Sequence, residues 1–502
     1  MIMRCKSILC TFFGVVFLVG CTATIPEHYS EAEALPVIYP TYSDIVIPCN
    51  IAPLNVAYGM EGKNYITELK SGEYSLVMKG KRTDWDMKQW HDFLASAKGE
   101  SVELNAYVQT DQGWVKYRPV KWYVAEEPID PYISYRIIAP SYVTYEELSI
   151  RQRELATFDE QMIYNNMLQS TDKDGQCINC HSYKNYKTDN MQFHARQHKG
   201  GTLLVTTDGV KKINLKTDST ISAGVYPAWH PTHNYIAYSI NDTGQSFHTK
   251  NNNKIEVQDL RSDLILYDVD RNEVSFIEHD TLEWEVFPTW SPDGKMLYYC
   301  SAHMEIQDYS QREREIIDRY QDFQYNIYRK SFDPVTQAFG PSELVLDAKA
   351  MDKSATFPRI SPDGRYLLFG MGGYGCFHIW HKDADLYVMD LETMQLHDVK
   401  AVNSDDVESY HAWSSNGRWI LFTSRRDDGG YTRLYIAYFD EQGKAYKPFL
   451  LPQRDPYFYA DYYKSYNVPE FMVEPVTITP QEFARYLDAD AQTVTFRSRV
   501  VK

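Results

Sequence analysis

Beyond its first twenty residues the chain has no apolar run of the roughly 20 residues that a membrane-spanning helix needs. It has no G-x-S-x-G and no H-E-x-x-H, so the sequence marks of an α/β serine hydrolase and of a zinc peptidase are missing. One glycine-rich stretch, "GMGGYGCFHIWHKD" from Gly370, follows no strand-to-helix pattern and does not read as a phosphate cradle. Positive charge is short: 51 Lys and Arg face 68 Asp and Glu, a formal net charge of −17. That balance disfavours nucleic acid as a partner, because phosphate binding needs basic patches. Cysteine is sparse, eight in 502 residues, and its placement carries more information than its number.

Apolar residues make up 43% of the chain, with Gly and Pro spread along it, as in a folded protein and not a disordered one. At this length two or more domains are expected. Arg4 and Lys6 followed by "ILCTFFGVVFLVG" read as a signal peptide over residues 1–20. The segment ends in Leu18-Val19-Gly20-Cys21, which resembles the lipobox of bacterial lipoproteins. The resemblance implies lipidation of Cys21, a polar tether over 21–38, and a chain anchored in the cell envelope. Thr22 in place of aspartate favours the outer membrane, facing the periplasm.

Residues 39–140 alternate apolar and polar positions in short runs, which predicts antiparallel β, taken as a sandwich of immunoglobulin type. "WDMKQWHDFLASA" within it predicts a short helix. In 141–200 the spacing of Leu148, Ile150, Leu155, Phe158, Met162 and Met167 predicts a helical segment, with Thr144 and Glu147 as a capping box. From 201 to 452 an internal repeat governs the fold. "VYPAWHPTHNYIAYSIN", "VFPTWSPDGKMLYYCSA", "TFPRISPDGRYLLFGMG" and "SYHAWSSNGRWILFTSR" each precede a second strand pair, giving four strands per unit. "TLLVTTDGVKKINLKTDSTI" supplies most of a fifth unit, whose innermost strand comes from elsewhere. The tail 453–502 is rich in Tyr expected to pack on the repeats, with a short helix at "TPQEFARYLDA".

Pro288, Trp290, Ser291, Pro292, Asp293 and Gly294, and again Pro358, Ser361, Pro362, Asp363 and Gly364, resemble the PD40 repeats of TolB-like β-propellers. His-Pro-Thr-His in the first unit and Ser-Ser-Asn-Gly in the fourth depart from the pattern. The resemblance implies a mainly β protein: a sandwich-like domain, a short helical C-x-x-C-H segment and a propeller of five visible blades, with room for a sixth.

That C-x-x-C-H segment is "DGQCINCHSY". Cys177 and Cys180 at this spacing can each take one vinyl group of a c-type haem, with His181 as the proximal iron ligand. Met191 and His194 are candidates for the sixth position, with His198 behind them. A second reading is zinc, since Cys177, Cys180, His194 and His198 have Cys2His2 spacing. A third is a bare pair, although no thioredoxin-like βαβ unit surrounds it. Cys49, Cys300 and Cys376 read as buried apolar residues, with a Cys300–Cys376 disulfide as the alternative. His303, His378, His381 and His411 read as histidines on separate blade loops in preference to a metal site.

Overall, the chain resembles TolB-like propeller lipoproteins of Bacteroidetes type that carry a C-x-x-C-H segment. Two functions follow. One is an envelope lipoprotein with covalent haem, transferring electrons or sensing redox state or a ligand, with the propeller gripping an envelope or redox partner. The other is a non-catalytic binding scaffold whose tripod is structural or empty.

Overall fold

The computed structural model describes residues 23–139, 147–171, 173–247 and 255–498. Its main body is a ring of six β-sheets of four or five strands each, the β-propeller that the repeats predict, with the sixth blade added to the five visible in the sequence. The ring is wider than the 201–452 span of the visible repeats. Blade 1 takes its three outer strands, Tyr132–Ile138, Leu148–Glu154 and Glu160–Asn165, from before the repeats. Its innermost strand, Ser465–Met472, comes from the tail and closes the ring antiparallel to Tyr132–Ile138. Blade 2 runs from Gln176–Lys184 outward through Lys187–Gln197, Gly201–Thr206 and Gly209–Asn214. Blades 3 to 6 begin with the innermost strands Val225–Trp229, Glu283–Trp290, Ser354–Ile360 and Glu408–Trp413. The last residues run back over two blades, pairing Gln492–Thr493 with blade 2 and Thr495–Phe496 with blade 3.

The helix expected between 141 and 200 is absent from the described part of that segment, which is extended apart from one 3-10 turn, Asn166–Leu168. Thr144 lies outside the described residues, as does Cys21. Two of the residues that suggested helical spacing, Met162 and Met167, stand 37% and 55% exposed and pack no helix face. The ladders of this segment are local: Leu148–Glu154 pairs with Tyr132–Ile138 and Glu160–Asn165, and Gln176–Lys184 pairs with Lys187–Gln197.

The Ser-Pro-Asp-Gly turns work by side-chain bonds to backbone. Asp293 Oδ1 accepts from Ser291 Oγ at 2.6 Å and from Lys295 N at 3.0 Å, and Ser361 and Asp363 repeat the arrangement in blade 5. Gly294 sits at φ +70°, open to glycine at no steric cost. Both departures from the motif have a structural reason. In blade 3, His230 replaces the serine: its Nδ1 accepts from Thr232 N and His233 N, and its Nε2 donates to Gly294 O in the next blade. In blade 6, Ser415 stands where proline stands elsewhere, and its N–H and hydroxyl both donate to Asp130. Proline has no N–H to give.

Asp130 belongs to the junction with the N-terminal unit. That unit is built on a seven-stranded mixed sheet, with the order Ser30–Glu31, Gly113–Lys116, Ser101–Thr110, Asn64–Ser71, Tyr74–Lys79, with Val120–Val124 branching off Ser101–Thr110 and pairing in turn with Ile45–Ile47, beside a small ladder of Ile38–Tyr39 and Ala57–Tyr58. The helix Met87–Ser96 covers it, capped by Asp86 and packing Trp90 edge-on to Trp122. So the sheet is backed by a helix where an immunoglobulin-type sandwich has a second large sheet. The expected tether also contributes, since Ser30–Glu31 adds an edge strand. One apolar core runs from this unit into blades 5 and 6. The tail tyrosines pack as expected, with Tyr459 and Tyr466 buried in that core.

Candidate functional site

All six innermost strands carry the same irregularity. Cys180, Tyr226, Phe287, Phe357, Tyr410 and Val468 have φ between +41° and +57°, each at a β-bulge in its ladder. Bulges of this kind turn a side chain out of the pleat, and here they turn six toward the propeller axis. The residue after the bulge is proline in blades 1, 3, 4 and 5, His181 in blade 2 and His411 in blade 6. The Cys-His of the C-x-x-C-H motif therefore occupies the bulge position common to the whole ring.

Along the axis lie three chambers, and the inner strand of blade 2 lines each in turn. The upper funnel has a volume of about 870 Å³ and is walled by Cys177, Asn179 and His194 of blade 2, among others. The waist, about 50 Å³, is lined by Cys180, His181, Tyr226, Phe287, Phe357 and Tyr410, with the Arg359–Glu470 ion pair at 2.8 Å. The lower mouth, about 250 Å³, takes in Ser182, Tyr183 and Tyr186. The strand thus divides the motif: Cys177 and His194 face the funnel, while Cys180 and His181 face the waist. Met191 lines none of the three. It is fully buried in the apolar core with Phe193 and Leu203. His198 is half-exposed at the end of the hairpin.

His181 is 1% exposed, and neither ring nitrogen makes a hydrogen bond of good geometry, the Ser134 backbone being its polar neighbour. Burial holds its pKa down to about 3, helped by the charge of Arg136 and opposed by the Ser134 backbone. His194 is also lowered to about 3, by burial and Arg196, and its Nδ1 meets Thr202 Oγ1 at 2.9 Å. His411, lowered to about 3 in the same way, bonds through Nε2 to Phe357 O at 2.7 Å. All three imidazoles are neutral at physiological pH, the form that can ligate a metal. Glu470 is raised by burial, against the pull of Arg359.

Among the described residues no group of three or more His, Cys, Asp or Glu is close enough to hold a metal ion, so Cys177, Cys180, His194 and His198 are not gathered into a four-ligand site. His381 pairs with Glu256 at 2.7 Å, His303 with Glu283 at 2.7 Å, and His378 bonds the carbonyls of Tyr374 and Gly375. Cys300 and Cys376 are buried and unbridged, and Cys49 is half-buried.

No protein-family model matches the chain, and no curated protein matches it. Solved structures similar to it include the β-propeller domain of the Trilobed protease from Pyrococcus furiosus, at 12% identity and TM-score 0.30, covering 71% of this chain and 96% of that one. An oligogalacturonate lyase in complex with manganese matches at 14% identity and TM-score 0.29, over 68% of this chain and 87% of that one. The apo prolyl oligopeptidase B from Galerina marginata matches at 10% identity and TM-score 0.35, over 64% and 44%. The fold assignment rests on the six sheets themselves.

Proposed function

We propose that the protein is an exported, lipid-anchored propeller that carries a c-type haem at Cys177 and Cys180 with His181 on the iron. Such a centre transfers electrons or reports a small ligand at an open iron position, and the propeller serves as the platform for an envelope or redox partner. The observation behind this reading is the His181 ring. An unpaired polar group in a buried site costs about 1–3 kcal/mol, so a buried ring whose only polar neighbour is the Ser134 backbone has a nitrogen left to complete. A neutral imidazole on an iron would use it. Cys177 stands on the wall of a funnel whose volume falls in the usual range for ligand sites.

The fit has two sides. Haem would supply redox chemistry, and this chain supplies a neutral ligand, a thiol on the funnel wall and His194 on the neighbouring strand as a candidate for the sixth position. Met191 is enclosed in the core and is the weaker candidate. Cys180 faces a waist with space for about one or two waters, much less than a porphyrin occupies. The scaffold reading has a specific observation of its own. Cys180 and His181 sit at the bulge shared by all six blades, and His411 occupies the equivalent place without any cysteine. On that reading, waters in the waist complete the imidazole and the propeller only binds.

The test is a pyridine haemochrome spectrum of protein made in a periplasm with cytochrome c maturation machinery. Haem that survives denaturation in the wild type, and is lost in Cys177→Ala with Cys180→Ala, supports the first reading. The single variants report which thiol is bonded. A colourless protein under those conditions leaves the scaffold reading. Anchoring at Cys21 is tested separately, by the mass of the N-terminal peptide.

A further inference from the structure

The lower mouth is built from the ends of the six inner strands and the turns that follow them, all within described stretches of the chain. Two residues past each bulge stands one layer of the ring: Ser182, Ala228, Thr289, Arg359, Ala412 and Glu470. Arg359 of blade 5 and Glu470 of blade 1 pair at 2.8 Å, with the small Ala412 of blade 6 between them in the layer. One residue further on stand Trp229, Trp290 and Trp413 of blades 3, 4 and 6. Two of these indoles tie neighbouring blades together. Trp290 Nε1 donates to Ala228 O and Trp413 Nε1 to Arg359 O, both at 3.1 Å. Trp229 breaks the series: it is 8% exposed, and its buried Nε1 has no acceptor. At the same seam the Ser182 hydroxyl, in a residue 7% exposed, is also buried without a partner. Two unsatisfied groups of blades 2 and 3 thus share one chamber with an ion pair held by blades 5 and 1.

We infer that the lower mouth is a binding site for a single uncharged sugar residue. Among the described residues, the charged lining of the mouth is one cation and one anion already paired, so it offers hydrogen bonds without selecting a net charge. The guanidinium and the indole N–H donate, the carboxylate accepts, and the serine hydroxyl does either. Hydroxyl groups answer all of these, each being donor and acceptor at once. An unpaired buried donor is costly in the empty protein, so the Trp229 N–H calls for an acceptor to complete it. The tryptophan rings add apolar wall with one polar atom each, which suits a ring with C–H faces and a hydroxyl rim. At about 250 Å³ the chamber is smaller than the roughly 300–1,000 Å³ of drug-sized pockets, room for one small ring. The inference does not depend on haem, since none of these groups is Cys177, Cys180 or His181.

The test is calorimetric titration of the full-length mature protein with glucose, galactose and N-acetylglucosamine, beside glucuronate and glucosamine as charged counterparts. The expected result is one-to-one binding of at least one neutral sugar with a dissociation constant in the millimolar range. Ser182→Ala and Trp229→Phe should each weaken it roughly threefold to tenfold, the worth of one hydrogen bond. Ser182→Ala removes a hydroxyl that bonds nothing in the empty protein, so its melting temperature without ligand should match the wild type. If Trp229→Phe does not fold, Ser182→Ala alone decides. Absence of binding by all three neutral sugars overturns the inference. Binding that Ser182→Ala leaves unchanged overturns it too, as does a preference of roughly tenfold or more for either charged sugar.

Discussion

Replacing Glu285 by glutamine should stabilise the protein at neutral pH and leave it nearly unchanged at pH 5. Glu285 lies in the innermost strand of blade 4, 1% exposed, and its Oε2 has no hydrogen-bond partner. Burial pushes its carboxyl up to about 9, with Asp263, Glu278 and Glu283 adding repulsion. In the unfolded chain the same group titrates near 4.5. Between those values the folded protein keeps a proton that the unfolded chain has released, so stability falls as pH rises. At about 1.36 kcal/mol per pH unit the cost is about 3 kcal/mol at pH 7, and less than about 1 kcal/mol at pH 5. Glutamine does not titrate, so the variant loses this cost. Its amide is an unpaired donor in the place of the protonated carboxyl's O–H, a penalty common to both proteins. Urea midpoints followed by tryptophan fluorescence at pH 5, 7 and 8.5 measure the difference. A gap between wild type and Glu285→Gln that does not change with pH would refute the reasoning, as would a variant less stable at pH 7.

The turn glycines differ in what surrounds them. A Cβ at Gly294 would come within 2.4 Å of the His230 ring, so Gly294→Ala should cost about 2–3 kcal/mol by urea unfolding. Gly364 has a similar φ but its nearest neighbour would be 3.8 Å away, and Gly364→Ala should cost only about 1 kcal/mol. Asp130→Ala leaves the Ser415 N–H without its acceptor and should loosen the N-terminal unit by about 2 kcal/mol. Limited proteolysis followed by mass spectrometry would then release fragments ending near residue 130 sooner than in the wild type.

The ring was legible where strand, turn and strand are neighbours in sequence. "SPDG" and "SSNG" name their hairpins because serine, aspartate or asparagine, and glycine make bonds within five residues. The short helices at Met87–Ser96 and Pro480–Asp488 were legible for the same reason, each having its own cap. Blade 1 was not, because its ladder joins Tyr132 to Met472. A signal did exist: Val468-Pro469 repeats the pairing of Phe287-Pro288 and Phe357-Pro358, and Cys180-His181 falls in the same register. Read as a haem motif, Cys177, Cys180 and His181 belong together. Read as a blade strand, Cys177 belongs to one chamber and the other two to the next.

Closing the ring with Ser465–Met472 also sets an order of events in time. Cys180 and His181 end up 5% and 1% exposed, walled in by inner strands from every blade. The strand that seals them follows by some 280 residues, a delay of roughly 15–60 s at ordinary synthesis rates of about 5–20 residues per second. Anything that is to be joined to that thiol or imidazole by another protein has to arrive before this strand docks, on an open chain. Once the last blade is closed, Cys180 and His181 are out of reach of another protein.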